Sequence, residues 1–331
     1  MREKADLSSQ DKSVPADDKS PWRHFLANNA QVLLLYGFLI AAITGLCLYS
    51  PAFRFGPNLW TVARQAVIPA IIGMAQTLII ISGGIDLSVA SMVTLVSLIC
   101  SGMMNSQPEM FLPITGLMIA LGLLVGWLNG IISYRGRVPP FITTLGMALL
   151  LQGAALAYTT VPKGGVPRLM GDLLYYNNLG PIPYPLILFA LLFSLCLFIL
   201  HRTAFGRAIF AIGGNREVAR RAGINVGRTF VLVFCIGSLL TTIGALMSTA
   251  RMGIGDPLAG MGMELDSITA VVIGGTSLFG GRGNLFGTLA GVIILVLINN
   301  VMVILGVNIF YQQLIKGFVV LLVVALYKQR T

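Results

Sequence analysis

TFVLVFCIGSLLTTIGALMSTA, residues 229–250, stands between Arg228 and Arg251 without a single charged side chain. A helix needs about 20 mostly apolar residues to cross roughly 30 Å of hydrocarbon, and this run has that length. Working outward along the chain to each charge or Pro/Gly cluster, the same test returns ten runs: 31–50, 61–82, 85–104, 113–133, 140–161, 185–201, 229–250, 265–280, 285–305 and 310–327. Gly, Asp and Glu interrupt the 61–104 region and the 265–280 run. The expected fold class is all-α, a polytopic integral membrane protein of about ten transmembrane helices. Residues 1–30 read as a polar, disordered cytoplasmic tail, and 31–331 as the membrane domain, with its longest inside loop near 202–228.

Composition supports the same conclusion. Of 331 residues, 56% are hydrophobic and only 10% charged, with mean hydropathy +0.85. An average soluble domain carries about 25% charged residues, and five of the twelve acidic ones here (Glu3, Asp6, Asp11, Asp17, Asp18) lie in the first eighteen positions. A water-exposed surface cannot be built from what remains. Glycine follows no triplet period, and Cys47, Cys100, Cys196 and Cys235 are scattered through apolar runs without a CxxC pair, so they read as small packed hydrophobes. The net charge of +10 is spread over short loops without interleaved aromatics, which argues against nucleic acid as a partner.

That charge reports topology. With the N-terminus cytoplasmic, the inside set is Arg2, Lys4, Lys12, Lys19, Arg23, Arg135, Arg137, Arg202, Arg207, Arg216, Arg220, Arg221, Arg228, Arg282, Lys328 and Arg330, sixteen of the twenty-two cations. Arg54, Arg64, Lys163, Arg168, Arg251 and Lys316 fall outside. The positive-inside rule therefore favours both termini in the cytoplasm. The first apolar run begins only after thirty residues and ends without a small-residue cleavage pattern, so no cleaved signal peptide is expected.

Helices in lipid associate by close approach at small residues. Gly116, Gly122, Gly126 and Gly130 fit that use, the last three forming a strip at four-residue spacing on one face of the fourth run.

Three stretches break the apolar pattern. In Ser82-Gly83-Gly84-Ile85-Asp86-Leu87-Ser88-Val89 a carboxylate sits between two spans. Asp86 reads either as a cap, accepting backbone N–H bonds at the start of a helix, or as a group that touches solute. In the loop from Arg202 through Arg207, Gly213 and Gly214 to Val226, a short helix has both ends marked: Asn215 as N-cap, Glu217 in the first turn, Arg220 and Arg221 in the last, Gly223 at C′. Val218, Ala219 and Ala222 are expected to share one face, and with Ile212 and Ile224 beside them the helix reads as a docking element for a soluble partner. Glu264-Leu265-Asp266 to Gly274-Gly275-Thr276-Ser277-Leu278-Phe279-Gly280-Gly281 carries glycines without the G-x-x-x-x-G-K-[ST] spacing of a phosphate loop. No nucleotide or other cofactor is expected in this chain.

Gly83-Gly84-Ile85-Asp86-Leu87-Ser88 is echoed by Gly274-Gly275-Thr276-Ser277-Leu278-Phe279, five spans on and therefore expected in opposite orientation, as in an inverted 5+5 repeat. Gln76, Asn129, Thr143, Thr144, Gln152, Asn299, Asn300, Gln312, Gln313 and Lys316 add polar groups at membrane depth. Neutral amides and hydroxyls suit an uncharged, hydroxyl-rich solute, whereas proton coupling calls for chains of Asp, Glu and His. The same groups also serve to tie helices together. His24 and His201, at span borders, read as interfacial. Gly83, Gly84, Asp86, Ser88, Asn129, Thr143, Thr144, Glu264, Asp266, Asn299 and Asn300 are the candidates for a pathway or its gates.

At these motifs the sequence resembles the membrane permease subunit of ribose-type sugar importers of the ATP-binding-cassette superfamily. The likeness is carried by Gly84 to Val89, Val138-Pro139-Pro140-Phe141-Ile142-Thr143-Thr144-Leu145-Gly146, Phe205-Gly206-Arg207 to Gly223-Ile224, and Glu264-Leu265-Asp266 to Gly280-Gly281, over about 280 residues. Ala90 stands where that family commonly has glycine. The resemblance implies a permease of the bacterial cytoplasmic membrane that pairs with a second copy or paralogue, two cytoplasmic ATPase subunits gripping Asn215 to Ala222, and an extracytoplasmic solute-binding protein. A facilitator or ion-coupled carrier is the alternative reading. For an intramembrane enzyme no nucleophile and base can be paired from the spacing.

Overall fold

The computed structural model describes residues 21–49, 51–54 and 56–326. Its helices are α1 (Pro21–Tyr49), α2 (Gly56–Ile81), α3 (Val89–Met104), α4 (Phe111–Arg135), α5 (Pro140–Tyr158), α6 (Tyr184–Arg202), α7 (Ala204–Gly214), α8 (Arg216–Arg221), α9 (Val226–Met252), α10 (Met263–Ile273), α11 (Leu285–Ile304) and α12 (Ile309–Leu326). A two-residue hairpin, Asn178–Leu179 with Ile182–Pro183, is the sheet structure among the described residues. Helix α1 starts at Pro21, inside the stretch expected as tail, and residues 1–20 lie outside the described residues.

Each of the ten apolar runs contains a helix. Among the described residues six helical stretches are long and apolar enough to cross a membrane: Asn58–Ile81, Pro108–Arg135, Pro140–Tyr158, Tyr184–Arg202, Val226–Met252 and Leu285–Ile304. Two runs come out shorter than expected. The 85–104 run gives the sixteen residues of α3 and the 265–280 run the eleven of α10. At 1.5 Å per residue, α10 reaches about 16 Å, half of what a span requires. The glycines at 274 and 275 end it.

Helices α2 and α9 form the interior, most of their apolar residues buried, whereas α5 and α6 present most of their apolar surface outward. What holds α4 to α9 is the absence of side chains. A Cβ placed on Gly126 would stand 2.5 Å from the carbonyl oxygen of Phe234, one on Gly130 2.8 Å from Cα of Val231, and one on Gly122 2.1 Å from Oγ1 of Thr242. The strip read from sequence is thus a close seam between antiparallel helices, backbone to backbone at Gly126 and Gly130 and backbone to the Thr242 side chain at Gly122. Gly116 has open space around it and takes no part. Helices α10 and α11 repeat the device: a Cβ on Gly287 would meet the Gly274 carbonyl at 2.0 Å, and one on Gly291 the Ala270 carbonyl at 2.1 Å. In lipid, where burying apolar area drives little association, contacts of this closeness supply the dispersion energy that binds helices.

Gly126→Val should therefore force α4 from α9, costing about 1–3 kcal/mol as overpacking does, while Gly116→Val should cost little. Thermal unfolding of the two purified variants checks this, and equal midpoints would contradict the seam.

Candidate functional site

The capped helix in the long loop forms as its sequence dictates. Asn215 Oδ1 accepts from the backbone N–H groups of Glu217 (2.9 Å) and Val218 (3.0 Å). Glu217 pairs with Arg220 at 3.4 Å and Arg221 at 3.2 Å, and Gly223 adopts φ +81°, the left-handed C′ conformation. Thr203 caps α7 by accepting from Gly206 N–H, and Asn225 caps α9 by accepting from Arg228 N–H. Arg207 is exposed on α7.

One expectation about this helix needs correcting. Val218 and Ala222 are exposed, Val218 at 61%, but Ala219 is buried against the body of the protein. Positions i and i+1 lie about 100° apart on a helix, too far for one narrow face. Ile212 is buried and Ile224 packs on the same core, so these isoleucines fasten the loop to its own chain and need no soluble partner to cover them.

The loop is anchored at a junction of three glycine pairs. A Cβ on Gly213 would lie 1.7 Å from the Ile81 carbonyl oxygen and 2.6 Å from the Gly281 nitrogen; one on Gly280 would lie 2.8 Å from the Gly213 oxygen and 3.0 Å from Gly83 Cα. One on Gly281 would lie 2.8 Å from Gly214 Cα. Gly281 N–H donates to the Ile81 carbonyl at 2.8 Å, joining the ends of the α2 and α10 segments directly. Gly83, Gly280 and Gly281 have φ of +81°, +86° and +71°, which L side chains rarely adopt.

This junction also corrects the orientation of the echo. Pro69 and Ile72 of α2 face Asp266 to Ala270 of α10 across a small cavity, while Ile81 meets Gly281 further along. Helices α2 and α10 therefore run in the same sense, and the turns that follow them lie at the same end of the bundle. They are neighbours, not inverted images.

The remaining candidates fall into two groups. Asp86, buried at 1% exposure, accepts through Oδ1 from Ser88 N–H at 2.8 Å and from the Ser88 hydroxyl. Asn129 of α4 donates to Ser88 Oγ at 3.0 Å. Thr144 of α5 donates to the Ile85 carbonyl at 3.0 Å and accepts from Leu87 N–H at 3.1 Å. Asp86, Ser88, Asn129 and Thr144 thus pin the start of α3 to α4 and α5, with Gly83 and Gly84 leading into it. Among the described residues, Asn129 Oδ1 and the hydroxyl of Thr143, next to Thr144, are buried without a partner. Polar atoms in that state cost free energy unless a partner arrives.

Asp266 and Asn299 belong to the second group, lining a cavity of about 90 Å³ between α2, α10 and α11. Lys316 of α12 approaches Asp266 at 3.4 Å, and one oxygen of Glu264 is buried with no partner among the described residues. Asn300 stands apart, exchanging amide hydrogen bonds with Asn58 at 3.2 and 3.3 Å.

Between the groups runs a segment that span counting passes over. Residues 253–262 are irregular and lie along α3: a Cβ on Gly260 would touch the Ala90 carbonyl at 1.9 Å, and one on Gly255 the Ser101 hydroxyl at 2.1 Å. Close packing at Ala90 is preserved, with the glycine supplied by the other side of the contact. Thr94 Oγ1 accepts from Gly260 N–H (3.2 Å) and Ser97 Oγ from Asp256 N–H (3.4 Å), while Ser101 Oγ donates to the Lys163 carbonyl (3.0 Å). Lys163 and Gly255 exchange backbone bonds at 2.9 and 3.2 Å. Thr94, Ser97 and Ser101 fall on one helical face, a hydroxyl stripe in an apolar run that was available as a signal for this loop.

Several helices long and apolar enough to cross a membrane, with polar groups buried among them, make a multi-pass membrane protein. The chain belongs to the family described as branched-chain amino acid transport system / permease component, which matches residues 58–324. It is 37% identical over 294 residues to the ribose import permease protein RbsC of Escherichia coli K12, covering 86% of this chain and 89% of that one. To the fructose import permease protein FrcC of Rhizobium meliloti it is 31% identical over 336 residues, covering 97% and 92%. The xylose transport system permease protein XylH of Escherichia coli K12 is 33% identical over 366 residues, covering 89% and 91%. No solved structure matches.

Gly213→Ala must open the glycine junction, so amide hydrogen exchange should rise at Gly281 and around Ile81 as well as at 213–215. Gly214→Ala, whose Cβ meets nothing within 4 Å, should leave exchange unchanged. A rise confined to 213–215 in the first variant would mean the three pairs are not mechanically joined.

Proposed function

We propose that this chain forms the translocation pathway of an ATP-binding-cassette importer for a sugar or sugar-like polar solute. The observation that carries the reading is near full-length similarity to proteins named as ribose, fructose and xylose permeases. The polar inventory supports it: amides and hydroxyls at Asn129, Thr143, Thr144 and Asn299 match a neutral, hydroxyl-rich cargo better than a charged one.

In this reading the chain is the permease subunit. It pairs with a second copy or paralogue, receives cargo from a solute-binding protein, and takes its motion from an ATPase subunit that binds the nucleotide. The ten apolar runs cross the bacterial cytoplasmic membrane with both termini inside, α3 and α10 as the shortened members of an inverted 5+5 arrangement. Each of these two follows an irregular segment, 82–88 before α3 and 253–262 before α10. Gly83, Gly84, Asp86, Ser88, Glu264, Asp266 and Asn300 act as gates or braces of the path.

The lever is the loop carrying Arg207, Gly213, Gly214, Asn215, Glu217, Val218, Ala219, Ala222 and Gly223. Val218, Ala222 and Glu217 face outward to the ATPase, Ala219 faces the body, and the glycine junction passes displacement to the turns after α2 and α10. Small interface shifts become large ones when packed elements have two discrete arrangements.

Val218→Asp should reduce ATP-dependent uptake at least tenfold in proteoliposomes holding permease and ATPase, with the variant still membrane-inserted and hydrolysis retained. Normal uptake would remove the docking role. Uptake by the permease alone, without its ATPase, would instead identify a facilitator or ion-coupled carrier.

A further inference from the structure

At the end of the bundle that carries α8, a cavity of about 490 Å³ opens between the end of α4, the turn into α5, and α8. Its wall carries Arg135 from the end of α4, Arg137 from the turn, and Arg216 and Arg220 from α8, with Ser133 and Tyr134 behind them. The α8 arginines are spaced i, i+4, so both project to one side. Among the described residues no carboxylate lies within ion-pair distance of Arg135, Arg137 or Arg216; Arg220 shares Glu217. Arg216 is half-buried with its guanidinium 4.5 Å from the centre of the Phe230 ring. Burial holds it below its ordinary pKa, with nearby Tyr134 acting the other way.

Among the described residues one buried polar group of this cavity lacks a partner, and one of its arginines sits on unusual backbone. Ser133 is 4% exposed, lines the cavity, and its hydroxyl has no hydrogen-bond partner among the described residues. Arg137 is held at φ +53°, uncommon for a residue with a side chain. A group with several acceptor oxygens and a negative charge would satisfy the hydroxyl and neutralise the arginines together.

The surroundings identify what carries that group. Val138 and Pro140 border the cavity, and Pro140 begins α5, whose outward face carries Phe141, Leu145 and Leu149 at four-residue spacing, 49%, 42% and 70% exposed. A charged cavity at the foot of a helix with an apolar outward face fits an amphiphile lying along the protein. The outward residues of α8, Glu217 and Val218, are not among those lining it.

From this the structure assigns a binding site for an anionic phospholipid: the headgroup phosphate among Arg135, Arg137, Arg216 and Ser133, the acyl chains along α5. Basic pockets beside membrane helices take lipid headgroups in this way. The bound lipid fastens α8 to the ends of α4 and α5. The assignment needs only that the chain lies in a membrane; it does not depend on cargo or on an ATPase.

The full-length protein in neutral detergent, titrated with phosphatidylglycerol and followed by native mass spectrometry, tests it. Phosphatidylglycerol should bind in preference to phosphatidylcholine. The triple variant R135Q/R137Q/R216Q should bind it about a hundredfold more weakly, and each single variant about fivefold more weakly should the triple variant not fold. Inorganic phosphate at millimolar concentration should not compete. Equal binding of phosphatidylcholine, or binding that survives the glutamine substitutions, would overturn the site. Displacement by inorganic phosphate alone would make it a free-anion site, and loss of the lipid when the ATPase subunit joins would give the cavity to a protein carboxylate.

Discussion

Backbones in this protein come as near to one another as peptide atoms allow, and the rest of the architecture follows from that. Lipid tails are as apolar as leucine, so helices gain little by hiding apolar side chains from them. They gain by removing the side chain altogether. The α4/α9 seam at Gly122, Gly126 and Gly130, the α10/α11 crossing at Gly274, Gly287 and Gly291, and the junction of Gly83, Gly213 and Gly280 are the same solution in three places. The first two build a rigid frame. The third lies where the surface loop meets the frame, and it adds backbone contact to the apolar anchorage that Ile209, Ile212 and Ile224 give the loop.

A second constraint is that peptide groups in a dry interior must find partners. The segment 253–262 forgoes the helical ladder and borrows Thr94, Ser97 and the Lys163 backbone instead. The start of α3 borrows Asp86 and Thr144. Polar residues here therefore hold irregular chain in place, and the buried Thr143 hydroxyl and Asn129 oxygen, without a partner among the described residues, stand out against that background.

Local chemistry was legible in the sequence. Asn215, Glu217 and Gly223 act through bonds two to four residues away, so their order along the chain already specifies the caps. The ten apolar runs are legible too, because each declares itself without a partner. The sense of the 83 and 274 echo was not, since it depends on which way α2 and α10 run, a tertiary fact. Nor was the split between Val218 and Ala219, which is settled by what lies beneath α8. The shortening of α10 was half visible: Gly274 and Gly275 mark its end, but its start at Met263 depends on where the 253–262 segment packs. The hydroxyls of α3 were visible as residues and not as a stripe with a purpose, because their partners lie more than sixty positions away.

Asn215 ends α7 and begins α8, accepting from the two N–H groups beyond it while its own N–H bonds back to Ala211. No spare residue separates the two helices. They share a one-residue elbow, the shape of a bell crank. In the proposed coupling, slack inserted at that elbow would let the arm swing idly, so the length of this hinge, more than its composition, would govern how faithfully force crosses the surface.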